Sequence, residues 1–185
     1  MSLIEAAVLG LLQGATEFLP VSSSGHLALL QHIWHLPEAQ RLPLTTMLHL
    51  GTAAAVLVFF ARRLGRIGAD CIARSPDRRR AAWRLIGFIA VASLPAAVVG
   101  LVFEEQIKTA FSAPPLVALM LLISGMGLFG TRLAQRQQPS LGWSRVMLIG
   151  VAQAVAVLPG ISRSGATICV GIYSGLDPEQ AFEFS

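Results

Sequence analysis

Residues 13–26 read Gln13-Gly14-Ala15-Thr16-Glu17-Phe18-Leu19-Pro20-Val21-Ser22-Ser23-Ser24-Gly25-His26, a polar break between two short apolar stretches. The leading stretch, Leu3 to Leu19, carries Glu5, Gln13 and Glu17 before meeting Pro20, and the return stretch, Leu27 to Leu36, has only ten residues. At about 1.5 Å of rise per residue, ten residues cover half of a hydrocarbon core roughly 30 Å thick. Non-helical backbone at that depth is tolerated only where protein or a water-filled cavity satisfies it. The pattern predicts a re-entrant helical hairpin, inward along Leu3 to Phe18 and back along Gly25 to His35.

The break has a second copy. Gly10-Leu11-Leu12-Gln13 and Ser22-Ser23-Ser24-Gly25 recur 140 residues later as Gly150-Val151-Ala152-Gln153 and Ser162-Arg163-Ser164-Gly165. The second break, Pro159-Gly160-Ile161-Ser162-Arg163-Ser164-Gly165-Ala166-Thr167, lies between Val146 to Leu158 and Ala166 to Leu176, both again too short to span. Three charge-free runs of 16–19 residues separate the copies: Thr45 to Ala61, Leu85 to Phe103 and Leu116 to Thr131. Each can cross a bilayer with a few flanking residues. An odd number of spans gives the copies opposite orientations, so the chain is expected to be an all-α polytopic membrane protein. Its core is an inverted-topology repeat of two re-entrant hairpins that share one site near the midplane.

Composition supports that class. Hydrophobic residues make up 54% of the 185 positions and charged residues 13%, against roughly 25% charged in soluble domains. The net charge of +4 does not indicate nucleic acid, because its distribution is topological. Eight of the thirteen arginines lie between Arg62 and Arg84, opposed only by Asp70 and Asp77, with a turn expected at Ser75-Pro76-Asp77. Arg132, Arg136 and Arg145 follow the third run, whereas Glu104, Glu105 and Lys108 lie between the second and third. By the positive-inside rule the arginine-rich links are cytoplasmic and the Glu104–Lys108 link faces outward. The amino terminus, with no basic residue before Arg41, is then expected outside and without the basic start of a signal peptide. Residues 1–185 form one integral membrane domain, with the first repeat covering about 1–140 and the second beginning near 141. Asp177-Pro178-Glu179 reads as the start of a further helix, so the second repeat is expected to be truncated at Ser185.

The breaks carry the chemistry. Gln13 and Glu17 are four apart and share a helical face, and their oxygens suit a hard cation such as Mg²⁺ or Ca²⁺. A carboxylate in lipid marks a functional site by default, with a packing pair to an arginine as the alternative. Ser22, Ser23 and Ser24 offer one capping hydroxyl and further donors at a helix start, and a serine with His26 makes a possible nucleophile–base pair. Arg163 suits phosphate oxygens, with Ser162, Ser164 and Thr167 as neutral donors around it and Gly160 and Gly165 allowing close backbone approach. An Arg163–Glu17 pair joining the repeats is the structural alternative. Glu5 is expected to meet water. His32, His35 and His49 lack the company that Glu17 and the hydroxyl cluster give His26 and are read as structural, with His35 at the interface. Cys71 and Cys169 have neither disulfide nor metal spacing.

The two breaks resemble the signatures of the bacterial undecaprenyl-diphosphate phosphatases: Gln13 to Glu17 with Phe18 to His26, and Pro159 to Thr167, with the Leu50-Gly51-Thr52 span between them. The resemblance implies an inner-membrane enzyme, its site open to the periplasm, that removes the terminal phosphate of undecaprenyl diphosphate. The product serves peptidoglycan synthesis, and overproduction is associated with bacitracin resistance. The resemblance also implies dependence on Mg²⁺ or Ca²⁺. By motif position Glu17, Ser23, His26 and Arg163 would be catalytic, supported by Gln13, Ser162 and Thr167, with Ser22, Ser24, Gly160 and Ser164 lining the substrate and Glu17 and Gln13 holding metal. The family accepts Glu or Gln at the place of Gln13. Whether Ser23, His26 or an activated water attacks stays open, as does the oligomeric state, a homodimer included. A lipid-phosphate transporter is the rival reading, since inverted repeats are typical of secondary transporters; a catalytically silent lipid-binding protein is a weaker third.

Overall fold

The computed structural model describes residues 2–134 and 140–185, so Arg136 lies outside the described residues. It is all-helical among them. The helices are α1 (Leu3–Thr16), α2 (Ser23–Ile33), α3 (Glu38–Phe59), α4 (Ala61–Cys71), α5 (Pro76–Val102), α6 (Glu104–Phe111), α7 (Pro114–Gly130), α8 (Trp143–Val155), α9 (Arg163–Tyr173) and α10 (Pro178–Phe184). A 3₁₀ turn, Thr131–Leu133, extends α7.

Three helices are long and apolar enough to cross a membrane: Glu38–Phe59, Pro76–Val102 and Pro114–Leu133, with mean hydropathy of 1.7, 2.4 and 1.8. Their most apolar windows are only 6%, 11% and 6% buried inside the protein. Apolar surface of that extent, turned outward, is what a bilayer solvates and water does not. The chain is a multi-pass membrane protein. α1, α2, α8 and α9, of 14, 11, 13 and 11 residues, are shorter than the core is thick.

The repeat is visible in helix boundaries. α2 runs 23–33 and α9 runs 163–173, while α3 begins at 38 and α10 at 178, each pair 140 residues apart. The hairpins lie between the long helices: α5 packs most extensively on α8, α7 touches both α2 and α9, and α3 contacts α1 and α2. Phe88, Ala92 and Val146 form the α5–α8 core. Trp143 meets Phe88 edge to face at 4.6 Å.

Two features of the links differ from the sequence reading. The segment after Ala61 is helical rather than an open link, because α4 segregates its arginines from Leu64, Ile67 and Cys71 into a strongly amphipathic face. Arg63 on α4 forms an ion pair with Glu183 on α10. The link between the second and third long helices is also helical: in α6, Lys108 binds Glu104 at 2.8 Å and Glu105 at 3.0 Å, which holds the Glu104 carboxyl below its ordinary range. Glu5, expected to meet only water, closes a capping box with Ser2 at the start of α1.

Candidate active site

Each hairpin turns at a proline followed by a serine cap. In the first, Pro20 lies in the turn and Ser22, at φ 63°, caps α2 by accepting from the Gly25 amide at 3.3 Å. In the second, Ser162 caps α9 by accepting from the Gly165 amide at 3.0 Å. Ser22 contacts Ser24 at 3.4 Å, and Ser162 contacts Ser164 at 3.2 Å, so equivalent residues do the same work in both copies.

The two turns touch. A Cβ built on Gly25 would stand 2.9 Å from the Gly160 Cα, and one on Gly165 would stand 3.2 Å from the Pro20 carbonyl oxygen. Ser164 Oγ reaches the Leu19 carbonyl at 3.5 Å. Small residues are required here because backbone meets backbone. Gly160, at φ 96°, is also seated against α7 at Val117, Met120 and Leu121.

Glu17 occupies the junction. It follows the last residue of α1, where the helix's negative end disfavours a carboxylate. Its Oε2 accepts from Ser23 Oγ at 2.5 Å and Gln13 Nε2 at 2.9 Å, and His49 Nε2 stands at 3.6 Å. Its Oε1 faces Arg163 Nη2 at 3.9 Å. Ser23 and Arg163 are the first residues of α2 and α9 and occupy equivalent places in the repeat. Two helix N-termini therefore meet one carboxylate, and their free amides and positive ends suit an anionic ligand. The Arg163 side chain is 63% exposed, which leaves it free to engage one.

The remaining expected residues are placed less directly. His26 Nδ1 lies 2.8 Å from the Ser22 carbonyl oxygen, which can only accept, so the neutral ring leaves Nε2 with its lone pair available. The ring borders a groove of about 540 Å³ lined by Pro20, Val21 and the Ala118–Leu128 face of α7. No hydrogen bond joins His26 to Ser23 or Glu17; the hydroxyl of Ser23 is directed to the carboxylate instead. Thr167, 4% exposed, spends its hydroxyl on the Arg163 and Ser164 carbonyls and on Ser185. Cys71 and Cys169 are free thiols.

The span expected over Thr45 to Ala61 is α3, but its part in the site is not among the expectations: the His49 ring, expected to be structural, reaches Glu17, and buried Thr52 accepts from Gln13 Nε2 at 3.2 Å. The available signal was spacing: Thr45, His49 and Thr52 fall at i, i+4 and i+7, a polar stripe on an otherwise apolar span.

Known proteins resemble the chain over most of its length. The family described as "Bacitracin resistance protein BacA" matches residues 6–185. An undecaprenyl-diphosphatase of Mycobacterium sp. (strain KMS) is 41% identical across the whole of this chain and 68% of its own length. One from Desulfosudis oleivorans is 42% identical, with 72% of its length covered, and one from Moorella thermoacetica 38%, with 70% covered. A match over nearly the full chain, with both breaks inside it, leaves one assignment: the chain belongs to the BacA bacitracin-resistance family.

Proposed function

We propose that the chain hydrolyses undecaprenyl diphosphate to undecaprenyl phosphate and inorganic phosphate. In this reading it works in the bacterial inner membrane, with α1–α2 and α8–α9 as oppositely inserted re-entrant hairpins and the site open to the periplasm. The observation that carries the proposal is the Ser23–Glu17 hydrogen bond at 2.5 Å beside Arg163, a nucleophile, its base and an anion clamp in contact.

Ser23 Oγ attacks the terminal phosphorus while Glu17 Oε2 takes its proton. The anhydride P–O bond breaks, and its electron pair leaves with the bridging oxygen on undecaprenyl phosphate. His26 Nε2 then takes a proton from a water that attacks the phosphoserine, the P–Oγ bond breaks, and Glu17 returns its proton to Ser23. Arg163 and the two helix N-termini hold the charge that spreads over the phosphoryl oxygens, where positioning and electrostatics supply most of the catalysis.

The donor set fits a hard divalent cation, Mg²⁺ or Ca²⁺. Glu17 and Gln13 offer oxygens, and Gln13 Oε1 is buried with no hydrogen-bond partner. Among the described residues no three His, Cys, Asp or Glu side chains cluster, so water and the diphosphate would complete the shell. When bound, the cation would neutralise diphosphate charge. A homodimer is compatible with this reading, because every group named comes from one chain.

Phosphate release from a long-chain prenyl diphosphate by the purified protein, with and without Mg²⁺, tests the reading. Arg163→Ala is expected to cut kcat/KM by about 100-fold, the scale of losing a charge-assisted bidentate partner, with Arg163→Lys recovering only part. Transport of the lipid without phosphate release would favour the transporter instead. Single cysteines beside Pro37 and beside Arg145 should label from opposite faces of the membrane; labelling from one face defeats the inverted repeat.

A further inference from the structure

The polar stripe of α3 grips the first hairpin at two points. Thr45 Oγ1 accepts from Gln31 Nε2 of α2 at 3.0 Å, and Thr52 Oγ1 accepts from Gln13 Nε2 of α1 at 3.2 Å. Both glutamines are 1% exposed. Gln13 Oε1, however, is the one buried side-chain polar atom without a hydrogen-bond partner among the described residues. An acceptor left in that state has lost its water without a replacement partner, so a ligand is the economical explanation for keeping it.

The network dictates how the Gln13 amide is turned. The Glu17 carboxylate can only accept, so Nε2 and not Oε1 must face it. The Thr52 hydroxyl hydrogen is used on the His49 carbonyl at 3.0 Å, which leaves its oxygen to accept the second Nε2 hydrogen. With both hydrogens committed to acceptors on different helices, the amide plane cannot pivot, and Oε1 keeps one direction. A single acceptor at Glu17 would permit rotation about that bond.

We propose that Thr52 is a positioning residue of the active site: through the Gln13 amide it holds Gln13 Oε1 as a ligand for the divalent cation shared with Glu17 and the diphosphate. The proposal rests on the phosphatase reading and its cation. It also assigns a purpose to glutamine at position 13. A carboxamide brings its own two donors, which satisfy Glu17 and Thr52, and supplies a neutral oxygen without a second negative charge beside Glu17.

Mn²⁺ binding to the purified protein, read by electron paramagnetic resonance in the presence of methylenediphosphonate, tests the proposal independently of turnover. Thr52→Val should weaken Mn²⁺ binding about tenfold, within the 10–100-fold range for outer-shell partners of a metal, and Thr52→Ser should restore it. Thr52→Ala, which cannot crowd the interface, should match Thr52→Val. Gln13→Leu should cost at least as much, and the Gln13→Leu/Thr52→Val pair no more than Gln13→Leu alone. Thr45→Val, which removes the corresponding bond at the other grip, should leave Mn²⁺ binding unchanged. Wild-type binding in Thr52→Val and Thr52→Ala, additive losses in the double variant, or an equal loss in Thr45→Val would overturn the role of Thr52. Absence of Mn²⁺ binding by the unsubstituted protein would overturn it too. Phosphate release from the same preparation then shows whether the phosphatase reading survives.

Discussion

Glu17→Gln is expected to reduce kcat for phosphate release about 10³-fold, the middle of the range for loss of a positioned general base. The substitution keeps the size of the side chain and an oxygen for Ser23 Oγ to donate to, but removes the site for the Ser23 proton and the charge facing Arg163. Stability should not fall with activity. Glu17 sits at the negative end of α1, an unfavourable place for a carboxylate, and neutralising it relieves that conflict. The thermal midpoint in detergent should therefore stay level or rise while turnover collapses. Ser23→Ala should lose a similar factor, and the double variant should be little worse than either alone, because one proton transfer has been removed twice. Near-normal turnover in Glu17→Gln, or independent losses multiplying in the double variant, would reject the Ser23–Glu17 pair and return the nucleophile to His26 or water.

How much of this was legible depends on whether a signal was local. The short helices flanking each break were readable from the short apolar runs around Pro20 and Pro159, and the helix boundaries found at 23–33 and 163–173 repeat at the spacing already visible in Ser22 to Gly25 and Ser162 to Gly165. Gln13 and Glu17 were paired correctly because i, i+4 contacts are set by helix geometry alone. The contact between Glu17 and Arg163 was available as an alternative because few anions in lipid could partner an arginine. The structure shows no hydrogen bond within the possible serine–histidine pair: the α2 start turns the Ser23 hydroxyl back toward Glu17 while the His26 ring is tied to the Ser22 carbonyl. His49 and Thr52 join the site across 32 and 39 residues of separation, and no local pattern says which helix packs beside which. The α4 helix was missed for another reason: dense arginines were read for their sign and not for their period.

Gly160 carries the second large expectation, because it sits where both hairpins and α7 meet. Its φ of 96° is a conformation that residues with a side chain rarely adopt, and forcing one there costs of order 1–3 kcal/mol. A Cβ would also strike the Val117 carbonyl oxygen and come within 2.8 Å of Met120 Cβ and 3.2 Å of the Leu121 amide nitrogen. Two of those three atoms are backbone, so relief requires moving α7 or the turn rather than rotating a side chain, and overpacking of that kind adds about 1–3 kcal/mol more. Gly160→Ala should thus lower stability by roughly 2–6 kcal/mol, read as a large drop in the denaturation midpoint in detergent. The loss should also displace the start of α9, and with it Arg163, from Glu17, so turnover per folded molecule should fall as well. Gly100→Ala provides the comparison: a Cβ there meets nothing within 4 Å, and alanine in a helix interior is favoured over glycine by roughly 0.5–1 kcal/mol. If Gly160→Ala proved as stable as Gly100→Ala and equally active, the close approach of the two turns would not be what holds Arg163 beside Glu17, and the shared site would need a different support.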